Sequence, residues 1–207
     1  SVTMDPHKLG YVPYACGAIL VPDEQNYAVS QFKAPYLYRA DFDHSKWSST
    51  IEGSRTASGA SATWLTGKSI GFTSPDFAKI IANTFYACRD FKNELTRNCS
   101  WVRTLQPSDT NILCFSIADK GDPLSVANKK TITIFEKIAK SKTFAVSKTV
   151  LHSQEYKELL STHVKSYSGT NDEETLTLIR CVFMNPFWCN QEIGKKLRAE
   201  FISEITE

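Results

Sequence analysis

The chain opens with the segment that decides its fold assignment: Ser1-Val2-Thr3-Met4, Asp5-Pro6-His7-Lys8-Leu9-Gly10-Tyr11, Pro13-Tyr14 and Cys16-Gly17-Ala18-Ile19-Leu20-Val21. The β-branched residues at the start predict a strand that ends in a polar turn. The apolar run before Pro22 predicts a second, central strand that is covered on both faces. The loop between the strands places an imidazole beside an amine, although from composition alone a loop lysine is usually a solvated surface charge.

The composition is that of a globular protein without a charged binding surface. The 207 residues are 42% hydrophobic and carry a formal net charge of +2. Acidic and basic residues are mixed along the chain, so binding to nucleic acid or to a membrane surface is not expected. The length allows one large domain or two small ones.

The cysteines and histidines indicate a compartment and exclude one kind of site. The six cysteines form no C-x-x-C pair and lie mostly in apolar stretches, which predicts buried thiols and a cytoplasmic location. His44, His152 and His163 lack metal-ligand spacing, so we expect no metal site. No apolar run is long enough to span a bilayer. Because the sequence starts in a strand without an initiator methionine, we expect the chain to begin inside a larger protein.

The first half of the chain contains two predicted helices. Residues 53–70 are rich in small side chains, which predicts a helix that packs closely along one face. Ser74 and Pro75 predict the start of a second helix, which continues to about Arg97 with one apolar stripe. The stretch between residues 26 and 50 has no clean periodicity and is interpreted as an irregular connection.

The second half predicts a smaller α/β domain. The predicted order is strand, helix, strand, strand, helix, at residues 112–118, 124–140, 144–151, 176–184 and from about 190. We therefore expect two domains, at residues 1–104 and 105–207.

Three ordered segments resemble one enzyme family. The first is the string from Asp5 to Leu20, the second is Glu52-Gly53-Ser54-Arg55 before the small-residue helix, and the third is the stretch Leu178-Ile179-Arg180-Cys181-Val182-Phe183-Met184-Asn185-Pro186. Together they resemble the carboxy-terminal part of group II decarboxylases that depend on pyridoxal phosphate (PLP), nearest to bacterial tyrosine and glutamate decarboxylases. The resemblance implies an α/β fold of the fold-type-I PLP-dependent transferase architecture, with the end of the large domain followed by the small carboxy-terminal domain.

The resemblance also implies an activity and a cofactor. Lys8 matches the lysine that holds PLP as an internal aldimine, so that the expected reaction is decarboxylation of an L-amino acid to an amine and carbon dioxide. The expected enzyme is a cytoplasmic homodimer. An aromatic amino acid, glutamate and aspartate remain open as substrates.

Three further residues match functional positions of the family. His7 resembles the histidine that contacts the cofactor phosphate; the alternative is a loop histidine bonded to nearby backbone. Ser54 resembles a serine that reaches the PLP phosphate of the partner subunit; the alternative is a plain helix cap. Arg180 lies in an apolar strand and needs a partner, which the resemblance implies is the substrate carboxylate and which could instead be Glu173 or Glu174.

Other parts of the family's cofactor site do not occur in this sequence. The histidine that stacks on the ring, the aspartate that pairs with the pyridine nitrogen and the phosphate-binding loop lie upstream of the lysine in the family. We therefore predict that the 207 residues alone are inactive. Two rival functions stay open: a lyase or aldolase of the same fold, and a non-catalytic dimerisation or binding fragment.

Overall fold

A computed structural model of the chain describes residues 1–31 and 55–207. These residues form two compact units, Ser1–Ala78 and Lys79–Glu207. The units divide inside a helix, whereas the sequence predicted a domain boundary after residue 104, which stays a prediction. Most of the predicted irregular connection lies outside the described residues, and a short 3-10 helix spans Glu24–Ser30.

The first unit begins with a two-stranded antiparallel ribbon. Strand β1 (Val2–Met4) pairs with β2 (Ala18–Leu20), with Thr3 opposite Ile19. Every residue of both strands is exposed. The prediction of a strand covered on both faces is therefore wrong within the described residues, because an apolar run specifies a strand but not the layers that cover it.

Helix α1 (Ser58–Ser69) confirms the predicted small-residue helix, although it begins later than residue 53. The helix comes very close to the backbone of Ala15 at Gly59, where an added Cβ would lie 2.5 Å from the Ala15 carbonyl oxygen. The Cys16 thiol lies 3.0 Å from the Thr63 hydroxyl on the same helix. None of the side chains in α1 is fully buried, and Trp64 is 66% exposed, so the helix is less enclosed than its composition suggested.

Helix α2 (Pro75–Asn98) confirms the predicted start and apolar stripe. The Ser74 hydroxyl accepts a hydrogen bond from the Phe77 amide at 3.1 Å, which satisfies one of the free amides of the first turn. Within the second unit the stripe continues through the buried residues Cys88, Phe91 and Leu95. Phe85, an apolar residue of the same helix, is exposed.

The second unit is built on a four-stranded antiparallel sheet with the order β3-β4-β6-β5. Its strands are β3 (Val102–Thr104), β4 (Ile112–Ile117), β5 (Ser147–His152) and β6 (Thr175–Val182). Strand β6 is central, with Cys114 of β4 opposite Arg180 on one side and Ser147 of β5 opposite Arg180 on the other.

Three helices complete the second unit: α3 (Leu124–Ala139), α4 (Ser153–Lys165) and α5 (Ile193–Thr206). Alternate residues of β6 enter two different buried clusters. Ile179 and Cys181 pack with residues of α2 and α5, whereas Leu176 and Leu178 pack with residues of α4. Because successive strand residues point to opposite faces, the sheet has helices on both faces.

Most predicted elements of the second half are confirmed within a few residues, but two were missed. Strand β3 is only three residues long, and α4 lies between the predicted strands at 144–151 and 176–184, where no element was predicted. Among the described helices, none has the length and the apolar composition that crossing a bilayer would require.

Candidate functional site

Lys8 lies in a tight turn that connects the two strands of the ribbon. The Lys8 amide donates to the Asp5 carbonyl at 2.9 Å, and the Tyr11 amide donates to the Lys8 carbonyl at 3.0 Å. Gly10 makes the turn possible, since a Cβ there would lie 2.5 Å from the Pro6 carbonyl oxygen. The local sequence therefore fixes the backbone on both sides of Lys8.

The Lys8 side chain is presented to solvent with a carboxylate beside it. Its Nζ donates to Asp5 Oδ2 at 2.6 Å, and the side chain is 59% exposed. The hydrogen bond from Lys8 lowers the pKa of the Asp5 carboxyl below its usual value. Asp5 thus favours the charged form of the amine, and sequence reasoning had assigned Asp5 no role although it stands three residues before the lysine.

His7 is half-buried against the far end of the same loop. Its Nδ1 contacts the Cys16 carbonyl oxygen, and its ring packs on Tyr14 with the centroids 4.2 Å apart. A carbonyl oxygen only accepts, so Nδ1 carries the proton in this contact. Nε2 is therefore the nitrogen left to meet another group, and it can donate a hydrogen bond only when the ring is doubly protonated.

Ser54 lies outside the described residues, and its predicted role stays a prediction. Helix α1 starts at Ser58 with Ala57 in the capping position. The Ser58 amide donates a hydrogen bond to the Thr56 hydroxyl at 3.2 Å.

Arg180 stands on the face of the sheet that α4 covers, two residues beyond Leu178. It is half-buried, and one of its guanidinium nitrogens lies 3.5 Å from the Ser147 hydroxyl. Within residues 1–31 and 55–207, no carboxylate forms an ion pair with Arg180. Glu173 instead accepts from the Asn128 amide at 2.7 Å, so the salt bridge to Glu173 or Glu174, which was the alternative to substrate binding, is not formed among these residues.

The structure brings Lys8 and His7 together in one turn of the first unit, and it places Arg180 in the second unit. No three histidine, cysteine or carboxylate side chains of the described residues converge to hold a metal ion. The cysteines described are all free thiols. Sequence reasoning missed Ser147, because only the strand register puts it opposite Arg180.

Comparison with known proteins identifies relatives by sequence. No family model matches the chain. It is 27% identical to L-tyrosine decarboxylase of Enterococcus faecalis over 93% of its length, and 24% identical to L-tyrosine decarboxylase of Levilactobacillus brevis over 93%. It is 31% identical to L-aspartate decarboxylase of Thermococcus kodakarensis over 47% of its length. The chain spans about a third of the length of the tyrosine decarboxylases that it matches (34%).

Solved structures share the fold. The crystal structure of Oryza sativa TDC with PLP and tryptamine matches 99% of this chain with a TM-score of 0.64 and 15% sequence identity, over 39% of its own length. Mouse CSAD in apo form matches 98% of this chain with a TM-score of 0.63, over 38% of its own length. These matches confirm the predicted fold-type-I architecture. The chain is therefore homologous to the carboxy-terminal part of the tyrosine and aspartate decarboxylases, the group II PLP-dependent family that the residues around Lys8 resemble.

Proposed function

We propose that the protein is a PLP-dependent amino-acid decarboxylase in which Lys8 carries the cofactor. One observation carries the proposal: the likeness to decarboxylases extends over 93% of this chain. The turn at Lys8 adds support, since its backbone hydrogen bonds fix the lysine while its side chain is 59% exposed. The homologous part covers about a third of the relatives, so activity, substrate and cofactor are assigned to the complete protein.

The residues of the Lys8 turn fit a covalently held aldehyde cofactor in part. An exposed primary amine on a fixed backbone is a suitable attachment point. His7 adds one nitrogen, Nε2, that its contact with the Cys16 carbonyl leaves available for a phosphate oxygen. We assign Ser54 as a second phosphate ligand, supplied to the partner subunit.

Lys8 has two tasks in the proposed reaction. Its Nζ must first lose its proton and leave the Asp5 carboxylate, because only a neutral amine is a nucleophile. When bound, PLP supplies the electron sink that stabilises the α-carbon as carbon dioxide departs. Once released by the substrate amine, Lys8 Nζ is the group that holds a proton for the α-carbon.

Arg180 has the task of binding the substrate carboxylate. A guanidinium can form two parallel hydrogen bonds with a carboxylate. Two facts support this role: the described residues provide Arg180 with no carboxylate partner, and its contact with Ser147 is to a neutral hydroxyl. Holding the carboxylate fixes which bond of the α-carbon is broken.

We infer that the complete enzyme is a cytoplasmic homodimer. The inference of a dimer rests on the role assigned to Ser54, which needs a partner subunit. The cytoplasmic location is inferred from the free cysteines.

The proposal is tested by measuring amine and carbon dioxide from L-tyrosine, L-aspartate and L-glutamate with the complete protein and PLP. We expect one of the three to give both products in equal amounts. Lys8→Arg keeps the positive charge but forms no imine, so its rate should fall by at least 1000-fold, and Lys68→Arg serves as the matched control. Products from cleavage of another bond would favour a lyase or aldolase, and no turnover of any kind would favour the non-catalytic alternative.

A further inference from the structure

We infer that Ser147 is a positioning residue that orients the guanidinium of Arg180 toward a substrate carboxylate. This inference rests on the proposed function, because it adds a residue to the carboxylate site assigned there. It starts from the strand register, which the sequence alone did not provide.

Three side chains lie in one row across adjacent strands. Cys114 of β4, Arg180 of β6 and Ser147 of β5 are directly opposite one another in the antiparallel sheet. Residues directly opposite in such a sheet project from the same face. Arg180 is therefore flanked by a thiol on one side and a hydroxyl on the other.

The Ser147 hydroxyl contacts Arg180 twice. It donates a hydrogen bond to the Arg180 carbonyl oxygen at 3.3 Å and accepts one from a terminal guanidinium nitrogen at 3.5 Å. Donation to the carbonyl directs the hydroxyl proton away from the guanidinium and leaves a lone pair for it. One small side chain thus links the arginine's main chain to its head group.

Both flanking groups are neutral, so neither of them neutralises the arginine. Burial raises the pKa of the Cys114 thiol, although Arg180 opposes this rise. A guanidinium has five N–H donors, and Ser147 occupies one of them. Among the described residues the remaining donors have no side-chain partner, so they and the positive charge are available to a carboxylate, whereas an aspartate at position 147 would compete for them.

The test uses the complete enzyme and the one amino acid among L-tyrosine, L-aspartate and L-glutamate that it decarboxylates. The KM of this amino acid is compared with the inhibition constant of its amine product, which lacks the α-carboxylate. Ser147→Ala should raise the KM by about 3- to 10-fold, the usual effect of one lost hydrogen bond, and should change the amine constant by less than about twofold. Ser147→Thr should restore the KM because it restores the hydroxyl.

Thr149→Val is the matched control, since it removes a hydroxyl from the same strand and the same face, opposite Leu178 rather than Arg180. It should leave both constants unchanged. The positioning role would be overturned if Ser147→Ala changed the KM of the amino acid and the inhibition constant of the amine equally, or if it changed neither constant.

Arg180→Ala separates this inference from the proposed function. If Arg180→Ala raises the KM of the amino acid but not the inhibition constant of the amine, and Ser147→Ala changes neither constant, only the role of Ser147 is wrong. If Arg180→Ala changes the KM of the amino acid and the inhibition constant of the amine equally, the assignment of the carboxylate site to Arg180 is wrong. A complete protein that decarboxylates none of the three amino acids overturns the proposed function, and the role of Ser147 is overturned with it.

Discussion

Lys8 and Asp5 form an ion pair that acts against the proposed chemistry. The 2.6 Å contact favours a charged amine, whereas attachment to an aldehyde needs a neutral one. Asp5 therefore adds to the tendency of the Lys8 amine to stay charged. The pair is exposed, so solvent weakens its effect.

The first prediction concerns this pair. In the 207-residue chain, Asp5→Asn should raise the rate of reductive methylation of Lys8 at about pH 8 by roughly 1.5- to 5-fold, because it removes an exposed ion pair that favours the charged amine. The rate is measured by mass spectrometry of the peptide that contains Lys8. Asp109→Asn, at another exposed aspartate, should leave the rate unchanged, and an unchanged rate in Asp5→Asn would contradict the account.

A second residue pair lies inside the second unit. His163 of α4 is bonded through Nε2 to the Ser116 hydroxyl at 2.8 Å, and both residues are buried. Burial lowers the pKa of His163 to about 4, and the nearby Arg103 adds to the effect. The folded state thus keeps this imidazole neutral at a pH where the unfolded chain would protonate it.

The second prediction follows from that difference. The unfolded state takes up a proton near pH 6.5 and the folded state only near 4, so stability is complete above the unfolded pKa and falls as the pH drops through this window. The free energy of unfolding should fall by about 2 kcal/mol from pH 7 to pH 5 on this account. Urea titrations measure the loss, which His163→Gln should remove and the exposed His152→Gln should not. Nuclear magnetic resonance titration of His163 in the wild type provides a second check, and a midpoint near 6.5 would contradict the account.

Candidate site residues could be found from the sequence only where a short segment makes them stand out. Lys8 and His7 stand within one string, and Arg180 stands out as a charge in an apolar strand. Ser147 and Ser116 could not be found this way, because their partners are set by strand register and by a helix that packs across the sheet.

At the scale of elements, the strongest local signals were reliable. Helix α2 begins where Ser74 and Pro75 predict it. Helix α4 was missed because charged and polar residues dominate its first half and its backbone departs from helical geometry at Tyr156. Its buried residues do follow helical spacing, at Leu160 and Val164, and that spacing could have revealed it.

Helix α5 is held by a buried arginine. Arg198 is 2% exposed, its Nε lies 3.0 Å from a carboxylate oxygen of Glu94 on α2, and it donates to the Trp188 carbonyl at 2.7 Å. A buried charge with one partner removed is costly. The pair therefore fixes how α5 packs against α2.

The third prediction tests this pair. Glu94→Gln should lower the free energy of unfolding by roughly 2–4 kcal/mol, because it leaves the Arg198 charge buried without a counter-ion. Glu200→Gln, which breaks an exposed pair with Lys196 on the same helix, should cost less than about 0.5 kcal/mol. Urea denaturation compares the two variants. Equal losses in the free energy of unfolding would show that the buried ion pair stabilises the fold no more than the exposed pair does.

At the scale of the whole molecule, the chain presents apolar surface in its first unit. Val2, Met4, Ile19 and Leu20 of the ribbon are all about half exposed or more. A two-stranded ribbon is marginally stable alone and needs further strands or a packed layer. The relatives that the chain matches are about three times as long.

The fourth prediction is that the 207-residue chain neither holds PLP stoichiometrically nor decarboxylates amino acids. The described residues provide an amine and a histidine at the Lys8 turn, which is too few groups to hold the cofactor tightly. Absorbance after dialysis measures the bound cofactor, and the complete protein is the positive control. Turnover by the isolated chain would contradict this prediction.

The central claim is that Lys8 carries the cofactor, and one measurement tests it most directly. The complete gene product is incubated with PLP and reduced with borohydride, and the pyridoxyl group is located by peptide mass spectrometry. We predict a single, stoichiometric label on Lys8. A folded, complete protein whose Lys8 remains unlabelled would contradict the enzyme assignment and favour a non-catalytic binding protein.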